Sequence, residues 1–119
     1  MGGYRPKRVA QMIFRELSSR LHTQVKDPRV GFVSITRVEV SRDLSRATAF
    51  FLPLGGGEVS EDLVAGLAEA AKQLRGPIGR ELRLRHAPEI VFVEDTEHDK
   101  ALEVARLLEK LSREREDEE

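Results

Sequence analysis

Residues 32–52 decide the fold: Phe32-Val33-Ser34-Ile35-Thr36-Arg37-Val38-Glu39-Val40, then Ser41-Arg42-Asp43-Leu44, then Ser45-Arg46-Ala47-Thr48-Ala49-Phe50-Phe51-Leu52. The first nine are β-branched and alternating, as a strand with one buried face should be. Their apolar phase is Val33 and Ile35, then slips by one to Val38 and Val40, which suggests either a β-bulge or a strand buried on both faces. Residues 45–52 place Ala47, Ala49 and Phe51 on one face and Thr48, Phe50 and Leu52 on the other. A four-residue turn between two such runs makes an antiparallel hairpin, with Asp43 ordering the turn through an Asx-type bond.

Outward from the hairpin the period changes. Residues 6–25 read as a helix, with Val9, Ile13, Leu17, Leu21 and Val25 recurring every four positions. Pro6 suits its first turn, and Lys26-Asp27-Pro28-Arg29 stops it. After Pro53 and Gly55-Gly56-Gly57, Ser60 caps a helix opened by Glu61 and Asp62, with Leu63, Val64, Leu67, Ala70, Ala71 and Leu74 inward. Gly76-Pro77 is expected to interrupt it and to open a shorter helix over 77–85, with Ile78, Leu82 and Leu84 inward. Residues 89–94 form a third strand. Thr96, paired with Asp99, is expected to cap a last helix over 97–113 with Ala101, Leu102, Ala105, Leu108 and Leu111 as its stripe, and residues 112–119 to be a frayed, solvated tail. The order is α-β-β-α-α-β-α. The crossover from strand two to strand three is long enough to join parallel strands. The expected fold class is α+β: a three-stranded mixed sheet with residues 45–52 central and helices on one face.

The 119 residues suffice for one such unit, and 34% of them are charged. There is no cysteine, which excludes disulfide scaffolds, thiolate zinc sites and cysteine nucleophiles. No apolar run approaches the roughly 18 residues of a spanning helix, and the N-terminal stretch is not a secretory h-region, so a cytoplasmic protein without a membrane partner is expected. Net charge is −1, but residues 1–93 carry 15 Lys/Arg against 10 Asp/Glu, whereas residues 94–119 carry 5 against 11. A basic body with an acidic extension is the footprint of a phosphate-binding protein.

Four stretches carry a family likeness: Arg5-Pro6-Lys7-Arg8-Val9-Ala10, Val25-Lys26-Asp27-Pro28-Arg29-Val30-Gly31, Val38-Glu39-Val40-Ser41-Arg42-Asp43-Leu44-Ser45-Arg46-Ala47, and Leu82-Arg83-Leu84-Arg85-His86-Ala87-Pro88-Glu89-Ile90. Together, in order across residues 5–95, they resemble the ribosome-binding factor A family. The resemblance implies a single-domain type II KH-like fold, α-β-β-α-α-β, with residues 1–95 as the RNA-binding domain and 96–119 as an acidic C-terminal helix and tail. It further implies a 30S assembly factor that binds 16S rRNA and free 30S subunits, supports late maturation and 5′-end processing of precursor 16S rRNA, and supports growth in the cold. One departure stands out: where the family has an Ala-x-Gly helix junction, this chain has Ala70-Ala71-Lys72, so either the kink has moved to Gly76-Pro77 or Ala70 still marks it and Gly76-Pro77 adds a second break. Gly76-Pro77-Ile78-Gly79 also spells the KH clamp GxxG. But Pro77 has no N–H to offer and Ile78 is bulky, so a helix break is expected there.

The expected RNA-facing residues follow from charge and position. Arg5, Lys7 and Arg8 crowd the start of the first helix, where cations oppose the dipole. Lys72, Arg75, Arg80, Arg83 and Arg85 face only Glu81 between residues 72 and 88. Lys26 and Arg29 flank Pro28, with Asp27 able to pair locally with one of them. Arg42 and Arg46 bracket the hairpin turn. The six aromatic residues form no stacking strand, so binding is expected to rest on shape and phosphate contact. His22, His86 and His98 show no metal-ligand spacing, and no nucleophilic or acid–base constellation appears. A monomer with no cofactor, no small-molecule substrate and no enzymatic activity is expected. The rival readings are a protein-interaction module docking through its C-terminal amphipathic helix and, less supported, a hydrolase acting on precursor rRNA.

Overall fold

The computed structural model describes residues 4–54 and 57–118. Helix α1 (Tyr4–Thr23) precedes strands β1 (Val33–Val40) and β2 (Arg46–Pro53), then come helix α2 (Glu61–Glu81), strand β3 (Glu89–Glu94) and helix α3 (Thr96–Glu118). The sheet order is β1-β2-β3, with β1 antiparallel and β3 parallel to the central β2. The fold is α+β with the expected mixed sheet.

The phase slip in β1 is a bulge. Ile35 pairs with Phe51 and Arg37 with Phe50, so Thr36 is the extra residue. Val38 and Val40 thereby regain the core side opposite Ala49 and Ala47, while Arg37 turns to the open face and covers the Phe50 ring at 3.7 Å. The freed Thr36 hydroxyl donates to the carboxylate of Asp95, the buried polar residue among those described.

Helices α1 and α2 lie on one face of the sheet. Val9, Ile13, Leu17 and Leu21 of α1 are buried, as are Leu63, Leu67, Ala70, Leu74 and Ile78 of α2. The small Ala47 and Ala49 of β2 sit beneath them, fully buried, and let the helices approach the sheet. Phe51 fills the space beside them, edge-on to Phe92.

The region expected as two helices is one. Helix α2 starts at the Ser60 cap, whose hydroxyl accepts from the Leu63 N–H at 3.1 Å, and runs through Gly76-Pro77 to Glu81. Pro77 removes one helical hydrogen bond, but Ile78 just beyond it is only 1% exposed. Burying a side chain of that size stabilises by roughly 1.5–3 kcal/mol, which offsets the lost bond and carries the helix past the proline. The GxxG stretch therefore lies inside a helix and is no backbone clamp.

Helix α2 ends in a Schellman arrangement: the Leu84 N–H reaches the Gly79 carbonyl at 3.0 Å and the Arg83 N–H reaches Arg80 at 3.1 Å. Arg83 holds the left-handed position, φ +54°, usually given to glycine. The connection then folds back so tightly that a Cβ on Gly79 would lie 2.6 Å from Ala87 Cβ.

Smaller differences follow the same logic. Helix α1 spans 4–23 instead of 6–25, and Phe32 lies outside β1 with 75% exposure. Helix α3 begins at Thr96, so Thr96 is inside the helix and not its cap. It continues past Ser112 to Glu118, aided by the Arg113–Glu109 pair one turn apart at 2.7 Å. Of its expected stripe, Ala105, Leu108 and Leu111 are exposed, while the side chains of Ala101 and Leu102 lie outside the described residues, as does that of Asp99.

Replacing Gly79 with alanine should force the 82–88 connection off α2 and destabilise the protein by about 1–3 kcal/mol. Urea unfolding followed by circular dichroism checks this as a lower midpoint with an unchanged slope.

Candidate nucleic-acid interface

The topology sends three chain segments to one end of the molecule: the first turn of α1, the β1–β2 turn, and the α2–β3 connection. The Glu89 N–H donates to the Ser45 carbonyl at 2.9 Å, which ties the connection to the turn. A cavity of about 410 Å³ opens between them, lined by Arg5, Arg75, Arg85 and His86 together with Asp43 and Leu44. Arg75 is braced there by its Nε donating to the Ala87 carbonyl at 3.0 Å.

Arg42 and Arg46 flank the turn at this same end. The turn is built around Asp43, whose Oδ1 accepts from the Ser45 hydroxyl at 2.7 Å, the Ser41 hydroxyl at 2.8 Å and the Ser45 N–H at 3.1 Å. These bonds, those from Ser45 first, hold its pKa down to about 2. They also hold Leu44 at φ +61°. Arg80 and Arg83, exposed, mark the last turn and cap of α2. No carboxylate among the described residues lies within 4.0 Å of Arg5, Arg42, Arg75, Arg80, Arg83 or Arg85. Arg46 has only a long contact to Glu89, 3.9 Å, with both side chains mostly exposed; such pairs contribute little.

The rest of the expected set lies elsewhere. Lys7 lines a shallow cavity with Phe14, Arg15 and Val38 on the β1 side of α1, and Arg8 is exposed on the same helix. Lys72 is exposed, 3.8 Å from Glu69, and borders an apolar groove between α2 and β3 with Val64, Leu67 and Phe92. Lys26 and Arg29 sit at the opposite end, in the α1–β1 connection. Arg29 is held there: its guanidinium donates to both Asp27 oxygens, at 2.6 Å for the shortest contact, and its N–H donates to Oδ1 at 2.9 Å. The guanidinium first, then the backbone bond, lowers the Asp27 pKa to about 2. So Asp27 takes Arg29 as its local partner, and this guanidinium, though 41% exposed, already holds a carboxylate.

Two residues escaped the expected set. His86, weighed in the sequence only for metal-ligand spacing, lines the cationic cavity beside Arg85. Arg37 reaches Asp95 at 3.6 Å and Glu97 at 3.4 Å and also meets Glu39; the phase slip beside it was visible, but its partners sixty residues on were not. Among the described residues no group of acidic and histidine side chains fit to hold a metal occurs, and no helix is long and apolar enough to cross a membrane.

The ribosome-binding factor A family model matches residues 5–108, the body and most of α3. This chain belongs to the ribosome-binding factor A family. The ribosome-binding factor A of Desulforamulus reducens is 40% identical over 109 residues, covering 92% of this chain and 91% of that protein. The solution structure of a candidate ribosome binding factor A from Thermotoga maritima is 37% identical, with a TM-score of 0.67 over 78% of this chain and 89% of that one. Thermus thermophilus ribosome binding factor A, a homology model fitted into the map of a 30S complex, shares the fold with a TM-score of 0.52 at 21% identity, over 69% of this chain and 90% of that one.

Two predictions follow from the turn and cap chemistry. Because the Asp43 and Asp27 pKa values are depressed from the ordinary 3.8 to about 2, their contribution to stability is complete above the ordinary value and is lost as pH falls through about 2. Melting temperatures measured from pH 6 to pH 2.5 should therefore fall less steeply for the Asp27→Asn, Asp43→Asn double variant than for the native chain. Arg83→Gly should remove left-handed strain and raise stability by about 0.5–1 kcal/mol, read from urea midpoints.

Proposed function

We propose that this protein is a small-subunit assembly factor that grips 16S rRNA on free 30S subunits through the cationic end described above. It acts during late maturation, favours 5′-end processing of precursor 16S rRNA and supports growth in the cold. It works in the cytoplasm as a monomer, with residues 1–95 as the KH-like RNA-binding unit and residues 96–119 as an acidic C-terminal helix. It is not an enzyme: it biases an rRNA equilibrium by binding one conformation more tightly than another. Its family supports this reading, as does the fitting of the Thermus thermophilus relative into a 30S complex.

The observation that carries the proposal is the set of arginines at one end with no carboxylate partner among the described residues: Arg5, Arg42, Arg75, Arg80, Arg83 and Arg85. Apart from the Arg75 Nε bond to the Ala87 carbonyl, their guanidinium groups face solvent in the free protein and are available to a phosphate. Arg83 adds a particular argument. A residue in a left-handed cap costs about 1 kcal/mol relative to glycine, and strain of this kind persists where a side chain has work to do.

A second reading has its own observation. Val104, Leu107, Leu108 and Leu111 of α3 are all about half exposed or more and share one helix face, so α3 suits docking on a protein partner.

The two part in a salt titration on purified 30S subunits. Phosphate gripping predicts that log affinity falls linearly with log salt. Charge reversal at Arg80, Arg83 and Arg85 should weaken binding at least about tenfold and flatten that line by about one unit of slope per lost contact. Binding left intact by that triple change, and abolished by Leu107→Asp with Leu108→Asp, would instead establish the docking helix.

A further inference from the structure

We propose that the 410 Å³ cavity at the cationic end is a seat for one unstacked nucleotide, its phosphate on Arg5 and Arg85 and its base presenting an amino group to Asp43. The inference rests on the RNA-binding reading and goes beyond phosphate gripping, because it assigns the protein a base-reading contact.

The lining argues for a nucleotide and against a bare phosphate. Arg5, Arg85 and His86 come from two separated segments and suit an anion. A cavity for inorganic phosphate alone has no use for Asp43, since a carboxylate repels it. Nor does it need the apolar side chains of Leu44 and Leu84, which also line the space. A nucleotide satisfies all of these groups. It carries charge at one end, an apolar ring face in the middle and hydrogen-bond donors on the base edge. Its size also suits a cavity near the lower end of the usual range for small-molecule sites.

Asp43 is prepared for this task. Its Oδ1 accepts all three bonds of the turn, from the Ser41 and Ser45 hydroxyls and the Ser45 N–H. Its Oδ2 accepts none from the described residues. Oδ1 is thus spent on structure, which fixes the carboxylate plane and leaves Oδ2 as a rigid, charged acceptor. Arg75 is likewise fixed, by its Nε bond to the Ala87 carbonyl, and leaves the flat face of its guanidinium for the base.

The chemistry chooses among bases. Cytosine offers an amino donor where uracil offers a carbonyl acceptor. A single hydrogen bond to a charged group is worth roughly tenfold in affinity, so cytidine should exceed uridine by about that factor.

The test is an NMR titration of amide shifts in the full chain with cytidine 5′-monophosphate, uridine 5′-monophosphate and inorganic phosphate. Expected shifts centre on Leu44, Ser45, Leu84, Arg85 and Ala87, with cytidine monophosphate about tenfold tighter than the uridine form and phosphate weaker than both. Asp43→Asn keeps an oxygen for the serine bonds but puts an NH2 donor in place of Oδ2, so it should abolish the cytidine preference and turn it toward uridine. Arg85→Gln should weaken all three ligands while keeping the ratio, so the idea stays testable if the Asp43 variant unfolds. Equal affinity of the native chain for the two nucleotides, shifts centred in the α2–β3 groove, or phosphate matching cytidine monophosphate each overturns it. Failure here with salt-dependent 30S binding intact removes the nucleotide seat and leaves the phosphate-gripping function standing; a selective nucleotide response without 30S binding does the reverse.

Discussion

The approach of Gly79 to Ala87 is the contact on which the cationic end depends. With no side chain on Gly79, the chain leaving α2 can reverse through the left-handed Arg83 and lie back against the helix it has just left. That reversal buries Pro88 and brings Glu89 to the Ser45 carbonyl, which starts the parallel pairing of β3 with β2. The same reversal carries Arg85 and His86 to the hairpin turn and to Arg5. A single steric allowance thus serves the sheet and the cavity together. It also explains why the end of α2 tolerates a strained arginine: the positions around it are determined by the sheet register and by the bonds from Leu84 and Arg83 to α2, not by the preference of residue 83.

The hairpin, the first helix and the parallel crossover were legible in the sequence because each has a period or a length that favours one local structure, whereas the phase slip in β1 fitted a bulge or a doubly buried strand alike and only the pairing register decides for the bulge. The continuity of α2 was not legible. Gly76-Pro77 reads as a break by every local rule, and what overrides it is the burial of Ile78, a tertiary effect absent from the pattern. The extent of α3 was misjudged for a related reason. A run such as Ser112-Arg113-Glu114-Arg115 looks like a solvated tail, but alternating charge also suits pairs one helical turn apart.

The candidate site was half legible. Composition pointed to cations on the body, and spacing gathered Arg80, Arg83 and Arg85. It could not say which cations share an end, because that depends on strand direction. Since α1 runs away from the hairpin turn, Arg5 lands beside Arg75 and Arg85, while Lys26 and Arg29, just past the helix, land at the far end. Arg29 illustrates a second limit. Its charge was visible, but its bidentate hold on Asp27 is a matter of backbone geometry in the loop.

Direction also separates opposite charges in a chain whose net charge is −1. Strand β3 begins at the cationic end and finishes at the other, where Asp95 is anchored by Thr36 and Arg37 and α3 takes off. The acidic residues of α3 therefore start from the end remote from Arg5 and Arg85. Six strand residues span about 20 Å, roughly twice the screening length at physiological ionic strength. At that distance the negative charge at the root of α3 is largely screened from the arginines, and the potential an approaching phosphate meets is set by its near neighbours. Parallel pairing of β3 thus does two things: it completes the sheet, and it starts the acidic helix at the end of the sheet remote from the arginines.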